Sequence, residues 1–161
     1  MDPKNCDNQY VCKLEPDGVT SKNFPILRGL GMTEITLQKN QLLTPHLHPN
    51  ANELAYFISG TAQSAVISPN PKDPPSTPFE VNAGDVVFFP QGFIHYVDNI
   101  GEDPVKFILT FDNPDFDLLP VTVAFKSLPS SILAKTFDVT AQEIEASFQN
   151  GGVIVPPYPQ S

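Results

Sequence analysis

The stretch TPHLHPNANELAYFISG, residues 44–60, carries two of the three histidines of the chain, one residue apart, and a glutamate five residues beyond the second. In an extended strand, side chains two apart share a face, so His46 and His48 can aim both imidazoles at one point. Glu53 follows the polar turn 49–52 and reaches the same point if the chain bends there. Read alone, the stretch fits two descriptions: a metal site, or a half-buried strand whose polar side chains face water.

The third histidine lies in GDVVFFPQGFIHYVDN, residues 84–99. A turn at Gly84, a strand, a turn at Pro90-Gln91-Gly92 and a returning strand would carry His95 back beside the first pair. By itself His95 reads as a satisfied core histidine. A shared cluster also explains why no histidine occurs elsewhere in the chain.

Around these stretches, 18 prolines and 9 glycines separate short segments rich in Val, Ile, Phe, Tyr and Thr, which reads as an all-β sandwich or barrel. Strands are expected at 26–30, 33–38, 54–58, 61–68, 79–81, 85–89, 94–99 and 105–111. PNPKDPPSTP, residues 69–78, is expected as a surface hairpin loop, because five prolines cannot donate to a ladder. From Ser127 the pattern turns helical. Pro129 suits a first turn ahead of Ile132 and Leu133, and Thr140 with Glu143 forms a capping box ahead of Ile144 and Phe148. Two C-terminal helices are expected within about 129–150, after a barrel over about 24–125, all in one domain spanning 1–161.

The two histidine stretches share a pattern with a known family. The first has the form H-x-H, four residues, E, six residues, G, through His46, His48, Glu53 and Gly60. The second has G, five residues, P-x-G, two residues, H, three residues, N, through Gly84, Pro90, Gly92, His95 and Asn99. Together they resemble both motifs of the cupin superfamily. From Phe24 through Phe148, FILTFDNPDF (107–116) included, the chain is similar to germins and to one domain of oxalate decarboxylase. The resemblance implies a double-stranded β-helix (jelly-roll) barrel with a short C-terminal helical segment. It also implies metal ligands His46, His48, Glu53 and His95, manganese as the ion, and a homo-oligomer. Three imidazoles and one carboxylate suit Mn(II) and also accept iron or zinc.

The same resemblance marks departures. Oxalate decarboxylases carry an arginine three residues before the first ligand histidine, to pair with the substrate carboxylate; Leu43 stands there, and the only arginine of the chain is Arg28. Germins with oxalate oxidase activity place asparagines at the positions held here by Leu43 and Thr33. Leu118 stands where the decarboxylases carry a lid glutamate that delivers a proton, which leaves Asp115 and Asp117 as the candidate catalytic residues. Leu42, Leu43, Phe89, Phe93 and Tyr96 either line an apolar pocket around the ion or pack the core.

Composition narrows the partners. Eighteen acidic against nine basic residues give a formal charge of −9 and a pI near 4.5, without the basic cluster that nucleic acid or anionic membranes require. No apolar run approaches the roughly 20 residues of a membrane span. The start MDPKNCDNQY has no secretory signal, so a cytoplasmic protein and one secreted after processing are both open. Cys6 and Cys12 either form a local disulfide or remain two thiols. The leading functional expectation is a manganese-dependent oxidase or decarboxylase of the oxalate type acting on a small carboxylate. A germin-like superoxide dismutase or dioxygenase, and a non-catalytic metal-stabilised ligand-binding or structural barrel, are the alternatives.

Overall fold

Short segments of alternating apolar and polar residues build the body of this protein. The computed structural model describes residues 6–8, 11–14, 18–148 and 152–155. The strands are β1 (Cys6–Asn8), β2 (Val11–Cys12), β3 (Gly31–Leu37), β4 (Leu42–Leu47), β5 (Glu53–Ser59), β6 (Thr61–Ile67), β7 (Phe79–Asn82), β8 (Val86–Phe89), β9 (Ile94–Asn99), β10 (Val105–Phe111) and β11 (Leu119–Pro120). Helices α1 (Val121–Lys126), α2 (Ser130–Phe137) and α3 (Ala141–Ser147) follow, and then a short strand β12 (Ile154–Val155).

Two antiparallel sheets enclose the core. One has the order β3-β10-β5-β8; the other has the order β11-β4-β9-β6-β7, with β12 also paired to β4. Period-two alternation decides which side chains enter. In β5, Glu53, Ala55 and Phe57 are buried while Leu54, Tyr56 and Ile58 are exposed. Phe57 lies directly opposite Phe107 of β10, and their rings stack 5.0 Å apart. Such a pair adds about 0.5–1.5 kcal/mol beyond the apolar area it buries.

Two devices join the sheets. β5 and β6 are consecutive but belong to different sheets, and the corner between them is Gly60, at φ 80°. A Cβ there would sit 2.8 Å from the Pro104 carbonyl oxygen, so the corner requires glycine. Asn99, 1% exposed, pins the β9–β10 turn. Its Nδ2 donates to the carbonyls of Leu37 and Asp103, each at 3.0 Å, and its Oδ1 accepts from Gly101 N–H at 3.0 Å.

The expected strands largely appear, with three corrections. Residues 26–30 form no strand: Leu27 N–H bonds back to Phe24 in a turn, and Gly29 takes a left-handed φ of 76°. The C-terminal segment has three helices, because α1 forms over VTVAFK, whose β-branched residues read as the end of the barrel. Pro120, extended at ψ 138°, starts that helix where its missing N–H is no loss. Pro129 caps α2 and is not its first helical residue. The capping box of Thr140 and Glu143 forms as expected, though α3 ends at Ser147, and residues 149–151 lie outside those described. The loop 69–78 joins the antiparallel strands β6 and β7. Cys12 is disulfide-bonded, which closes the two-thiol alternative, and in register it faces Cys6, the only other cysteine of the chain. Among the described residues no helix is long and apolar enough to cross a membrane.

Asn99→Ala removes the side chain that bonds the Leu37 and Asp103 carbonyls and Gly101 N–H, the first of these bonds buried and the other two partly so. We expect a loss of about 1–3 kcal/mol, read as a lower urea midpoint with an unchanged m-value. An unchanged midpoint would show that the turn holds without its pin.

Candidate metal centre

The side chains of His46, His48, Glu53 and His95 converge inside the barrel. His46 on β4 and His95 on β9 are cross-strand partners, and Glu53 opens β5 in the facing sheet. A local irregularity makes this possible. Leu43 pairs with Val97 but His46 pairs with His95, so β4 holds one more residue than β9 between those pairs. The bulge at Thr44 and Pro45 resets the alternation, and Leu43 and His46 both point inward. Proline suits this place because it has no N–H to offer a ladder.

The turn that swings Glu53 inward is braced on both sides. Asn52 donates from its backbone and side chain to Asp112, at 2.8 and 2.7 Å, and its Oδ1 accepts from Gln91 N–H at 2.9 Å. These bonds from Asn52 also hold the Asp112 carboxyl below its ordinary range. Gln91 Nε2 donates to the Pro49 carbonyl at 2.6 Å, and Gly92 N–H to the His48 carbonyl at 2.9 Å.

Each histidine has its Nδ1 against a backbone carbonyl: His46 on Thr44 at 2.7 Å, His48 on Asp117 at 2.6 Å and His95 on Phe93 at 3.0 Å. A carbonyl only accepts, so each Nδ1 carries a proton, and in the neutral form of each ring the Nε2 turned inward is a bare lone pair. The Nε2 atoms of His48 and His95 lie 2.8 and 3.3 Å from Glu53 Oε2. The Nε2 atoms of His46 and His48 are buried without a well-aligned hydrogen bond. The short His48–Glu53 approach therefore sets lone pair against lone pair, an arrangement that needs a proton or a cation between them. The four residues are 0–2% exposed and offer ligand atoms within 4.8 Å of one another. Atoms about 2.1 Å from one ion lie at most roughly 4.3 Å apart, so a small contraction would complete a coordination sphere. The residues fit a divalent metal ion.

Burial, reinforced by His95, holds the His46 imidazole down at about 4, against the upward pull of its bond to Thr44 and of Glu53. Burial pushes the Glu53 carboxyl up, but in the absence of a metal a proton shared with the His48 and His95 Nε2 atoms outweighs that and holds it at about 2. Near neutral pH the centre thus offers one neutral imidazole at His46 and one carboxylate at Glu53 ready for a cation.

Aromatic rings wall the imidazoles. Phe89 stacks on His95 at 4.1 Å, Phe111 meets His48 edge-on at 4.9 Å, and Phe116 stacks on Phe111 at 3.7 Å. Of the five expected pocket residues, Phe89 takes that place and Leu43 joins the core cluster. Tyr96 lies on the face opposite His95, where its hydroxyl donates to Gln63, and Leu42 pairs with Asp98 on that same face. Phe93 is half-buried. The carboxylates of Asp115 and Asp117 are not brought to the cluster. Both residues are exposed; Asp115 Oδ1 accepts from Ser21 and Asp117 Oδ2 from Asn50. Sequence reasoning missed the Asp117 carbonyl, which leaves no side-chain signal, and the bracing roles of Asn50 and Asn52, read only as turn residues.

The cupin family model matches residues 15–145. This chain belongs to the cupin family. Germin-like protein 5-1 of Oryza sativa subsp. japonica is 32% identical to it over 147 residues, 88% of this chain and 64% of the relative. Oxalate decarboxylase OxdC of Bacillus subtilis is 29% identical over 119 residues, 74% of this chain and 30% of the relative. A solved structure of Bacillus subtilis oxalate decarboxylase, a protein with Mn(II) centres, matches at TM-score 0.79 and 25% identity over 88% of this chain and 37% of that one. The chain thus spans 30% to 64% of the length of these two curated relatives. The double-stranded barrel expected from the two motifs is the cupin fold.

The metal-free cupin should be acid-sensitive. His46 is held below its unfolded value of 6.5, so the unfolded chain binds the extra proton between that value and about 4, and stability falls as pH drops through this window. Glu53, held below 4.5, adds a further loss between 4.5 and about 2. Melting temperature should therefore fall from pH 7 to pH 4. A divalent ion should raise it at pH 7 and raise it less in acid, where protons compete for the same lone pairs. A metal-free melting temperature that stays flat from pH 7 to pH 4 would contradict a buried neutral His46.

Proposed function

We propose that His46, His48, Glu53 and His95 ligate one divalent ion, Mn(II) first with iron or zinc as substitutes, and that this cupin is an oxalate-type enzyme acting on a small carboxylate. The observation that carries the reading is the convergence of buried lone pairs with no cationic side chain among them. Kinship with germins and oxalate decarboxylase supports the substrate class. When bound, such an ion supplies Lewis acidity and one-electron chemistry to a coordinated carboxylate.

The residues of the chain supply the rest. Phe89 and Phe111 keep the imidazole faces dry, and the three carbonyls fix the tautomers. Between the two oxalate chemistries, the oxidase is favoured. Decarboxylation of oxalate gives carbon dioxide and formate and must deliver a proton to carbon. By the family resemblance Leu118 stands where the proton-delivering glutamate would, and the carboxylates of Asp115 and Asp117 are engaged at the surface. The oxidase route takes oxalate, dioxygen and two protons to two carbon dioxide and hydrogen peroxide, and needs no proton at carbon.

One observation favours a second reading, a metal-stabilised barrel without turnover: Leu43, 2% exposed in the core, stands where an arginine would pair with the substrate. Manganese-loaded protein should separate the two in an assay that reports carbon dioxide, formate and peroxide independently. We expect peroxide without formate. Formate would reinstate a proton donor, and bound manganese with no product would leave the second reading standing.

We also propose that the protein is a homo-oligomer. Leu54, Tyr56, Ile58, Val86 and Phe88, each 41–57% exposed, share the outer face of the adjoining strands β5 and β8. A contiguous apolar face of this kind marks an interaction surface. Light scattering across a concentration series should give a mass above 17.6 kDa, and Phe88→Glu should reduce it; a strict monomer would retire the proposal.

A further inference from the structure

The three histidines do not obtain their backbone partners in the same way. His46 and His95 each bond a carbonyl two residues earlier in the chain, Thr44 and Phe93, a contact that the local run of the chain supplies. His48 lies just past the end of β4, and its partner is the carbonyl of Asp117, 69 residues later. Its orientation therefore depends on whatever holds the loop that carries Asp117.

That loop is held chiefly by one side chain. Asn50 Oδ1 accepts from Asp117 N–H at 2.8 Å, while Asn50 Nδ2 donates to the Asp115 carbonyl and to Asp117 Oδ2, each at 3.0 Å. The Asn50 carbonyl accepts from Asn113 Nδ2 at 3.0 Å, so both ends of the segment 113–117 are tied to one residue. Between them Phe116 stacks on Phe111 and lies T-shaped to the His48 ring, 6.1 Å away. The amide suits the task because it offers an acceptor and a donor side by side. A carboxylate at position 50 would keep the bond from Asp117 N–H, lose the other two and face the Asp117 carboxylate with like charge.

We propose that Asn50 is a positioning residue for His48, acting through the Asp117 carbonyl to fix the ring and its Nδ1–H tautomer. The inference rests on the metal-centre reading for its consequence: with the loop loosened, the His48 ring turns and its Nε2 leaves the coordination sphere. Groups in this relation to a ligand typically change metal affinity about 10–100-fold.

Asn50→Asp tests it through Mn(II) affinity by competition with a chelator, the electron paramagnetic resonance spectrum of bound Mn(II), and ¹⁵N NMR of the imidazoles in the metal-free protein. The expected result is affinity at least about tenfold weaker, an altered spectrum and loss of the His48 Nδ1–H tautomer. Pairing Asn50→Asp with Asp117→Asn lets the new amide donate to the new carboxylate, and should restore much of the affinity and the tautomer. Ser21→Ala, which removes the hydroxyl bond to Asp115 but leaves Asp117 alone, should leave all three readouts unchanged. Wild-type affinity, spectrum and tautomer in Asn50→Asp would overturn the inference while leaving the metal centre intact. If the unsubstituted protein takes up no Mn(II), the metal-centre reading fails, and the imidazole NMR still decides the positioning role. If Asn50→Asp does not fold, the paired exchange decides: a restored tautomer supports the role and an unrestored one overturns it.

Discussion

Lone pairs of like character cannot be packed together out of water unless positive charge lies between them. Each histidine of the centre has its Nδ1–H committed to a carbonyl, and each therefore turns a lone pair toward the carboxylate of Glu53. A buried polar group without a partner costs about 1–3 kcal/mol, and here several share one small space. Either a proton on Nε2 or a metal ion is required in that setting. Protonation meets the need only at a desolvation penalty, which is why burial holds His46 so far below its ordinary range. A divalent ion satisfies every lone pair at once.

The barrel must be closed for these groups to meet. His46 and His95 come from one sheet and Glu53 from the other, so a slip between the sheets would withdraw the carboxylate. The bulge at Thr44–Pro45, the Gly60 corner and the Asn99 pin each correct a mismatch that regular strands would leave. The bulge also touches the cluster directly, through the Thr44 carbonyl that accepts from His46 Nδ1, whereas the Gly60 corner and the Asn99 pin act only through the strands they bend. The aromatic wall does touch it: Phe89 and Phe111 exclude water from the imidazole faces, which strengthens every electrostatic term inside.

The cluster proposed as the ligand set was legible in the sequence because such residues leave a signature. His46, His48, Glu53 and His95 are chemically distinctive, their spacing is rigid, and no other histidine competes. Most of the strands were legible too, through period-two alternation. What escaped was carried by backbone. The bulge in β4 shows only as a proline in an apolar run, and a carbonyl partner such as that of Asp117 has no side-chain identity at all. Residues 26–30 misled because Ile26, Leu27 and Leu30 have strand propensity, whereas Gly29 and the turn at Phe24 decide the backbone. The helix α1 misled for the opposite reason: tertiary packing against β4 and β11 overrode the β propensity of Val121, Thr122 and Val123.

Charge bookkeeping inside the barrel limits what the centre can hold. A divalent ion with three neutral imidazoles and the Glu53 carboxylate would leave a net charge near +1, and among the described residues no arginine or lysine stands inward to raise it; Arg28 is exposed and Leu43 fills the position expected for a cation. A monoanion arriving at the ion would bring the interior to neutrality. A dianion would leave an excess negative charge in a pocket walled by phenylalanine, a burden that buried uncompensated charge makes severe. The surface, at −9 overall, gives no long-range attraction to offset it beyond the roughly 8 Å over which charge is felt at physiological salt. For the oxalate-type reading proposed above, the singly ionised acid would be the better match in charge, its retained proton doing the neutralising that an arginine would otherwise do.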